Sequence, residues 1–174
     1  MQQRRDWLVI AAAIVGGVGL GQSEGACPTG AGVGVQIVHI GDWTIVPGMG
    51  LVTCGDGAAL TVACDGAGDG LEVRLMLPNL ASGTTTVRIS AGSGAIRATA
   101  RAASAGGAIV LRGVDAEVTA ALLATGETLR FAVTPDADGT PAPVAMFATA
   151  GFEEALAWLG CGTADACPSR SCDR

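Results

Sequence analysis

Downstream of Val33 the chain alternates apolar and polar residues with a period of two, the pattern of strands with one buried and one solvated face. Leu71, Val73, Leu75 and Leu77 alternate with Glu72, Arg74 and Met76, and Thr85, Val87 and Ile89 with Thr86, Arg88 and Ser90. Ile96, Ala98, Ala100 and Ala102 alternate with Arg97, Thr99 and Arg101, and Leu129, Phe131 and Val133 with Thr128, Arg130 and Ala132. Shorter strands are expected at 34–40, 43–46, 58–64, 108–112 and 143–149, with Gly-, Asp- and Pro-rich turns between them. Many short strands at this spacing predict a mainly β fold, an antiparallel β-sandwich or a partly open barrel.

Two windows break the alternation. In GVDAEVTAALLATGE, Val114, Val118, Ala121 and Leu122 are predicted to share the buried face of a helix that stops at Gly126. In GFEEALAWLGC, Glu153 and Glu154 suit the positive N-terminal end of a helix that stops at Gly160. Its residues Phe152, Leu156 and Leu159 are predicted to be buried. Helices of about three turns do not persist alone in water, so both are expected to cap the core.

The first residues belong to a different kind of segment. Arg4 and Arg5 precede an apolar run from Trp7 to Leu20 and then small residues, which is the layout of a secretory signal peptide over 1–25. The mature N-terminus is expected between Gln22 and Ala26, and the arginine pair also fits a twin-arginine leader. Glu24 stands where a lipobox before Cys27 needs an apolar residue. Residues 26–174 then form a single β-rich domain with a Cys-containing tail at 162–174, periplasmic or secreted, which meets a membrane only if the leader is retained.

Composition refines this picture. The 174 residues are 49% hydrophobic and 3% aromatic, so the core is built from Val, Leu, Ile and Ala. A net charge of −6 disfavours nucleic acid and anionic membrane surfaces as partners. All six cysteines, Cys27, Cys54, Cys64, Cys161, Cys167 and Cys172, follow the leader, and an even count in an exported chain predicts disulfides. With no C-x-x-C pair and one histidine, neither a metal site nor a cofactor is expected. Cys64 continues the strand face of Leu60 and Val62 and can pin the second helix through Cys161, leaving Cys27–Cys54 and Cys167–Cys172. A competing scheme closes local loops, Cys54–Cys64 and Cys161–Cys167.

Candidate chemistry is sparse. His39, the one histidine, lies three residues before Asp42, but no nucleophile elbow accompanies it. GAGVGV at 30–35 lacks the βαβ context of a dinucleotide loop. The Asp-rich turns at 65–70 and 136–139 lack a full calcium ligand series. More promising are arginines at outward strand positions, Arg74, Arg88, Arg97, Arg101, Arg112 and Arg130, because the guanidinium fork suits carboxylate or phosphate.

Taken together, the Trp43-initiated strand, LTVACDG, ALLATGETLRFAVTP and AMFATAGFEEALAWLGC resemble small exported bacterial β-sandwich proteins. These are the relatives of type VI secretion accessory proteins and, less closely, of invasion-associated locus B proteins. The resemblance covers roughly Trp43 to Cys161 and implies a non-enzymatic accessory role with a protein or glycan partner in the envelope or secretion apparatus. The alternative is a small secreted hydrolase, or an anionic-ligand-binding domain, using the arginine face or His39 and Asp42.

Overall fold

A computed structural model describes residues 37–65, 70–78, 80–92, 94–136 and 144–161, which form ten strands in one antiparallel sheet. The strands are β1 (Val38–Ile40), β2 (Trp43–Val46), β3 (Gly50–Gly55), β4 (Ala58–Cys64) and β5 (Leu71–Met76), followed by β6 (Gly83–Ala91), β7 (Ile96–Ala105), β8 (Ala108–Arg112), β9 (Leu129–Pro135) and β10 (Val144–Phe147). Helix α1 (Val114–Leu123) joins β8 to β9, and α2 (Phe152–Leu159) follows β10. The sheet order is β1-β2-β3-β4-β5-β8-β7-β6-β9-β10. Strands β6 to β8 are thus a second meander laid in reverse, which brings β8 beside β5 and β9 beside β6. The expected leader at 1–25 and the tail at 162–174 lie outside the described residues.

Tight turns set this register. Asp56 and Gly57, both at positive φ, close the β3–β4 hairpin in two residues, as Gly106 and Gly107 close β7–β8, the backbone that matches strand twist. Inward positions of the strands and both helices form one buried cluster, from Trp43, Leu60 and Val73 through Ile109 to Phe131 and Phe147. Phe131 and Phe147 meet edge to face at 5.6 Å.

Strand β3 carries no alternation and was not expected as a separate strand. Its residues Leu51, Val52 and Thr53 are all buried, because β4 pairs with it while β10 and α2 pack against it. A strand covered on both faces loses the period-two signal.

Helix α1 buries a different face from the one expected. Ala116, Thr119, Ala120 and Leu123 are buried, while Val114 is 73% exposed and Val118 and Ala121 are exposed. The window is apolar nearly all round, so periodicity does not select a face. Contact with β5, β7 and β8 does, and the alanines allow a close approach that valines would obstruct. Thr119 is tolerated there because its hydroxyl donates to the Asp115 carbonyl at 2.7 Å.

Helix α2 docks as expected through its first residue. The Phe152 ring lies 4.9 Å from Trp43, and Phe152 and Ala155 are fully buried. Leu156 and Leu159, expected to be buried, are only half covered at the margin of the core, because eight residues present little more than two turns to the sheet. The approach is close. A side chain on Gly41 or Gly151 would meet the other's backbone, and both have positive φ. The Asp42 N–H donates to the Ala150 carbonyl at 3.0 Å, and the Ala150 N–H donates to Asp42 Oδ2 at 3.1 Å.

Beyond the helix, Cys161 is bridged to Cys64 across 97 residues, Cα to Cα 5.3 Å. This long-range bridge excludes the local scheme. Cys54 is also disulfide-bonded, and the pairings proposed for Cys27, Cys167 and Cys172 fall outside the described residues.

Two expectations follow for stability. A loop as long as the one Cys64–Cys161 closes gives roughly 4–5 kcal/mol by the loop-entropy relation, so Cys64→Ser/Cys161→Ser should lower the urea midpoint by a corresponding amount. Amide exchange over 152–159 should accelerate before that of the sheet. Phe152→Ala should cost about 3–5 kcal/mol as a large core truncation, and Leu156→Ala clearly less; equal losses in denaturant titrations would contradict the half-buried placement.

Candidate functional site

All six candidate arginines lie on strands of the sheet, at positions that alternate with its core residues. Their ion pairing divides them. Glu72, on β5, sits directly opposite Arg112 of β8. Its Oε1 accepts from Arg74 at 2.7 Å, and its Oε2 accepts from Arg112 Nε at 2.9 Å and Nη2 at 2.6 Å. Burial pushes the Glu72 carboxyl up, but hydrogen bonds and charge from Arg112 and Arg74 outweigh it and hold the group below its ordinary value. Arg101 is paired with Asp136, whose other oxygen accepts from the Thr86 hydroxyl at 3.2 Å. That pairing, chiefly its hydrogen bond, lowers the Asp136 carboxyl and raises Arg101.

Arg88, Arg97 and Arg130 are different. Each is exposed, and none meets a carboxylate among the described residues. Register explains where they stand. Arg88 on β6 faces Thr99 of β7 on one side and Ala132 of β9 on the other, and Ala132 in turn faces Val144 of β10. One step along, Ile96, Ser90, Arg130 and Met146 form the next row across the same strands. Between Ile89 and Ser90 the register slips by one residue, and Arg97 is the extra residue of this bulge.

The bulge corrects one sequence expectation. Ile96 was expected on the core face with Ala98 and Ala100, but the slip turns it outward, where it is 62% exposed. Met146 at 49% and Val144 at 39% join it on the same rows. Sequence reasoning singled out the arginines and missed these apolar neighbours. A bulge leaves no period in the sequence, and β10 is too short to show one.

The remaining candidates are occupied locally. His39 on β1 shares a hydrogen bond between its Nδ1 and the hydroxyl of Thr44, its cross-strand partner, at 3.1 Å. Asp42 holds the Ala150 N–H, and Asp56 accepts from the Met146 N–H at 3.2 Å. An open groove of about 330 Å³ runs along residues 81–85 to Pro135 and Asp136, beside the Arg101 ion pair. Among the described residues no three His, Cys, Asp or Glu side chains converge as metal ligands. The Asp-rich turns at 65–70 and 136–139 lie largely outside those residues. No described helix is long and apolar enough to cross a membrane.

No protein family, curated protein or solved structure matches this chain.

The Glu72 cluster has a defined pH signature. Its carboxyl is depressed in the folded state, so its contribution to stability is complete above the unfolded value of about 4.3 and is lost as pH falls through the lower folded value. Urea midpoints of the wild type should therefore fall on going from about pH 7 to about pH 3 by more than those of Glu72→Gln. Parallel curves for the two proteins would show that the Arg74 and Arg112 contacts carry no linkage.

Proposed function

We propose that this chain is an exported, non-enzymatic binding protein that acts in the periplasm or outside the cell, through a protein or glycan partner of the envelope or secretion apparatus. The observation that carries this reading is the Cys64–Cys161 bridge. A crosslink between elements so distant in sequence persists in an oxidising compartment and not in a reducing one. The leader-like segment at 1–25 argues in the same direction, and so does the resemblance to small exported accessory proteins of bacteria.

Binding is favoured over catalysis by how the polar groups are used. Glu72, Asp136, Asp42 and Asp56 all serve internal contacts, and His39 is tied to Thr44. General acid–base work needs such groups aimed at a substrate. Among the candidate arginines, Arg88, Arg97 and Arg130 are the ones without a described ion-pair partner, which also favours the anionic-ligand reading as a second choice.

Fractionation of the source cell tests the reading. The protein should be recovered outside the cytoplasm, with an intact mass whose N-terminus lies between Gln22 and Ala26, and native purification from that compartment should retain a stoichiometric protein or glycan. A cytoplasmic protein that keeps Met1 and has free Cys64 and Cys161 thiols would overturn it.

A further inference from the structure

Resting on that reading, we propose that the outward face of β6, β9, β10 and the start of β7 docks a second, different protein through an extended segment with carboxylates two residues apart and apolar residues flanking them on the same face. Three arginines without acidic partners among the described residues, Arg88, Arg97 and Arg130, share this face with exposed Ile96, Val144 and Met146. The other described arginines are ion-paired, Arg101 with Asp136 and both Arg74 and Arg112 with the one carboxylate of Glu72. The arginines without an ion-pair partner among the described residues therefore lie where apolar side chains are also left in water.

This composition matches the centre of a protein interface. Arg and Met are enriched there, and Lys, Asp and Glu are depleted. Rows Ile96–Ser90–Arg130–Met146 and Thr99–Arg88–Ala132–Val144 contain no acidic residue. Ser90 is 7% exposed despite its place in the first row, between Ile96 and Arg130.

Charge and spacing select the occupant. Arg88 and Arg130 are diagonal neighbours on β6 and β9, a placement that separates their Cα atoms by about 7–8 Å. Carboxylates two residues apart on an extended segment share one face and repeat every ~6.6–6.8 Å, so one segment can meet both guanidiniums while the same-face residues before and after them pack on Val144, Met146 or Ile96. Free phosphate would leave those apolar groups in water. An anionic bilayer is disfavoured because the chain carries −6 overall, and because none of these apolar residues sits on a protruding loop that could insert.

Photo-crosslinking of the full chain in its native envelope tests the proposal. A benzophenone amino acid replaces Thr99, inside the face, or Ala121, on the exposed side of α1. The Thr99 position should capture one protein, through a segment with Asp or Glu at alternate positions. Arg88→Glu/Arg130→Glu should cut the yield about tenfold or more, and reversing the acids of the captured segment to Lys should restore it. Arg88→Gln/Arg130→Gln carries the same comparison if the reversal disturbs folding, checked by far-UV circular dichroism. Capture of lipid, glycan or another copy of this chain, or a yield unmoved by the arginine variants, overturns the proposal. Capture at Ala121 with none at Thr99 removes this face and leaves the binding reading standing; silence at both positions removes the reading as well.

Discussion

The contact between Phe152 and Trp43, with Cys161 bridged to Cys64 just beyond it, holds the first described strands of the sheet against the last described element. An eight-residue helix has no stability of its own in water. Its place is set by one aromatic pair, by the glycine contact of Gly41 and Gly151, and by the paired hydrogen bonds of Asp42 and Ala150. The bridge keeps the helix near the sheet even when those contacts open. Without it, β1 and β2 would lose the cover that α2 gives them, because β1 has three residues and, among the described residues, pairs only with β2. The Trp43 indole N–H is buried with no partner among the described residues. Such a group costs free energy, and the aromatic contact must offset that cost.

The same sheet separates two uses of charge. Around β5 and β8 the arginines are internal fasteners, since Glu72 lies in register with Arg112 and two residues before Arg74. A half-buried carboxylate shared by two guanidiniums fixes two strands to each other and leaves little for a ligand. Across β6, β9 and β10 the arginines meet Ser90, Ala132 and Met146 instead. Nothing in the fold requires charge there. In the proposal made above, the guanidiniums beside exposed Ile96, Val144 and Met146 serve a partner outside the chain, and the paired strands would hold them in fixed positions for it.

Connectivity explains why the two regions coexist. Strands β7 and β8 are joined by only two residue pairs, Ser104 with Ile109 and Ala105 with Ala108, while β6 pairs with β7 and β9 along most of its length. The narrow joint lets the two meanders turn relative to each other and lets β10 reach β3, where Asp56 holds the Met146 N–H. Helix α1 spans the joint on the core side, against β5, β7 and β8. Its alanines give it the low profile that position demands.

Much of this was legible in the sequence. Period-two alternation identified the longer strands and their inward residues, because a sheet with one covered face imposes that period on any chain. The two helical windows, and the bridge of Cys64 to Cys161, followed from helices too short to stand alone and from the strand face that Cys64 extends. What the sequence left open depends on neighbours distant along the chain. β3 lost its pattern because both its faces are covered. Helix α1 buries the face of Ala116, Thr119, Ala120 and Leu123 because contact with β5, β7 and β8 selects it. Ile96 turned outward at a bulge that follows from pairing with Ser90. Which arginines are ion-paired and which stand without a described partner was decided by register, since a shift of one residue between β5 and β8 would take Arg112 away from Glu72. Alternation is local and survives in the sequence; register and burial of a second face arise only when the strands meet.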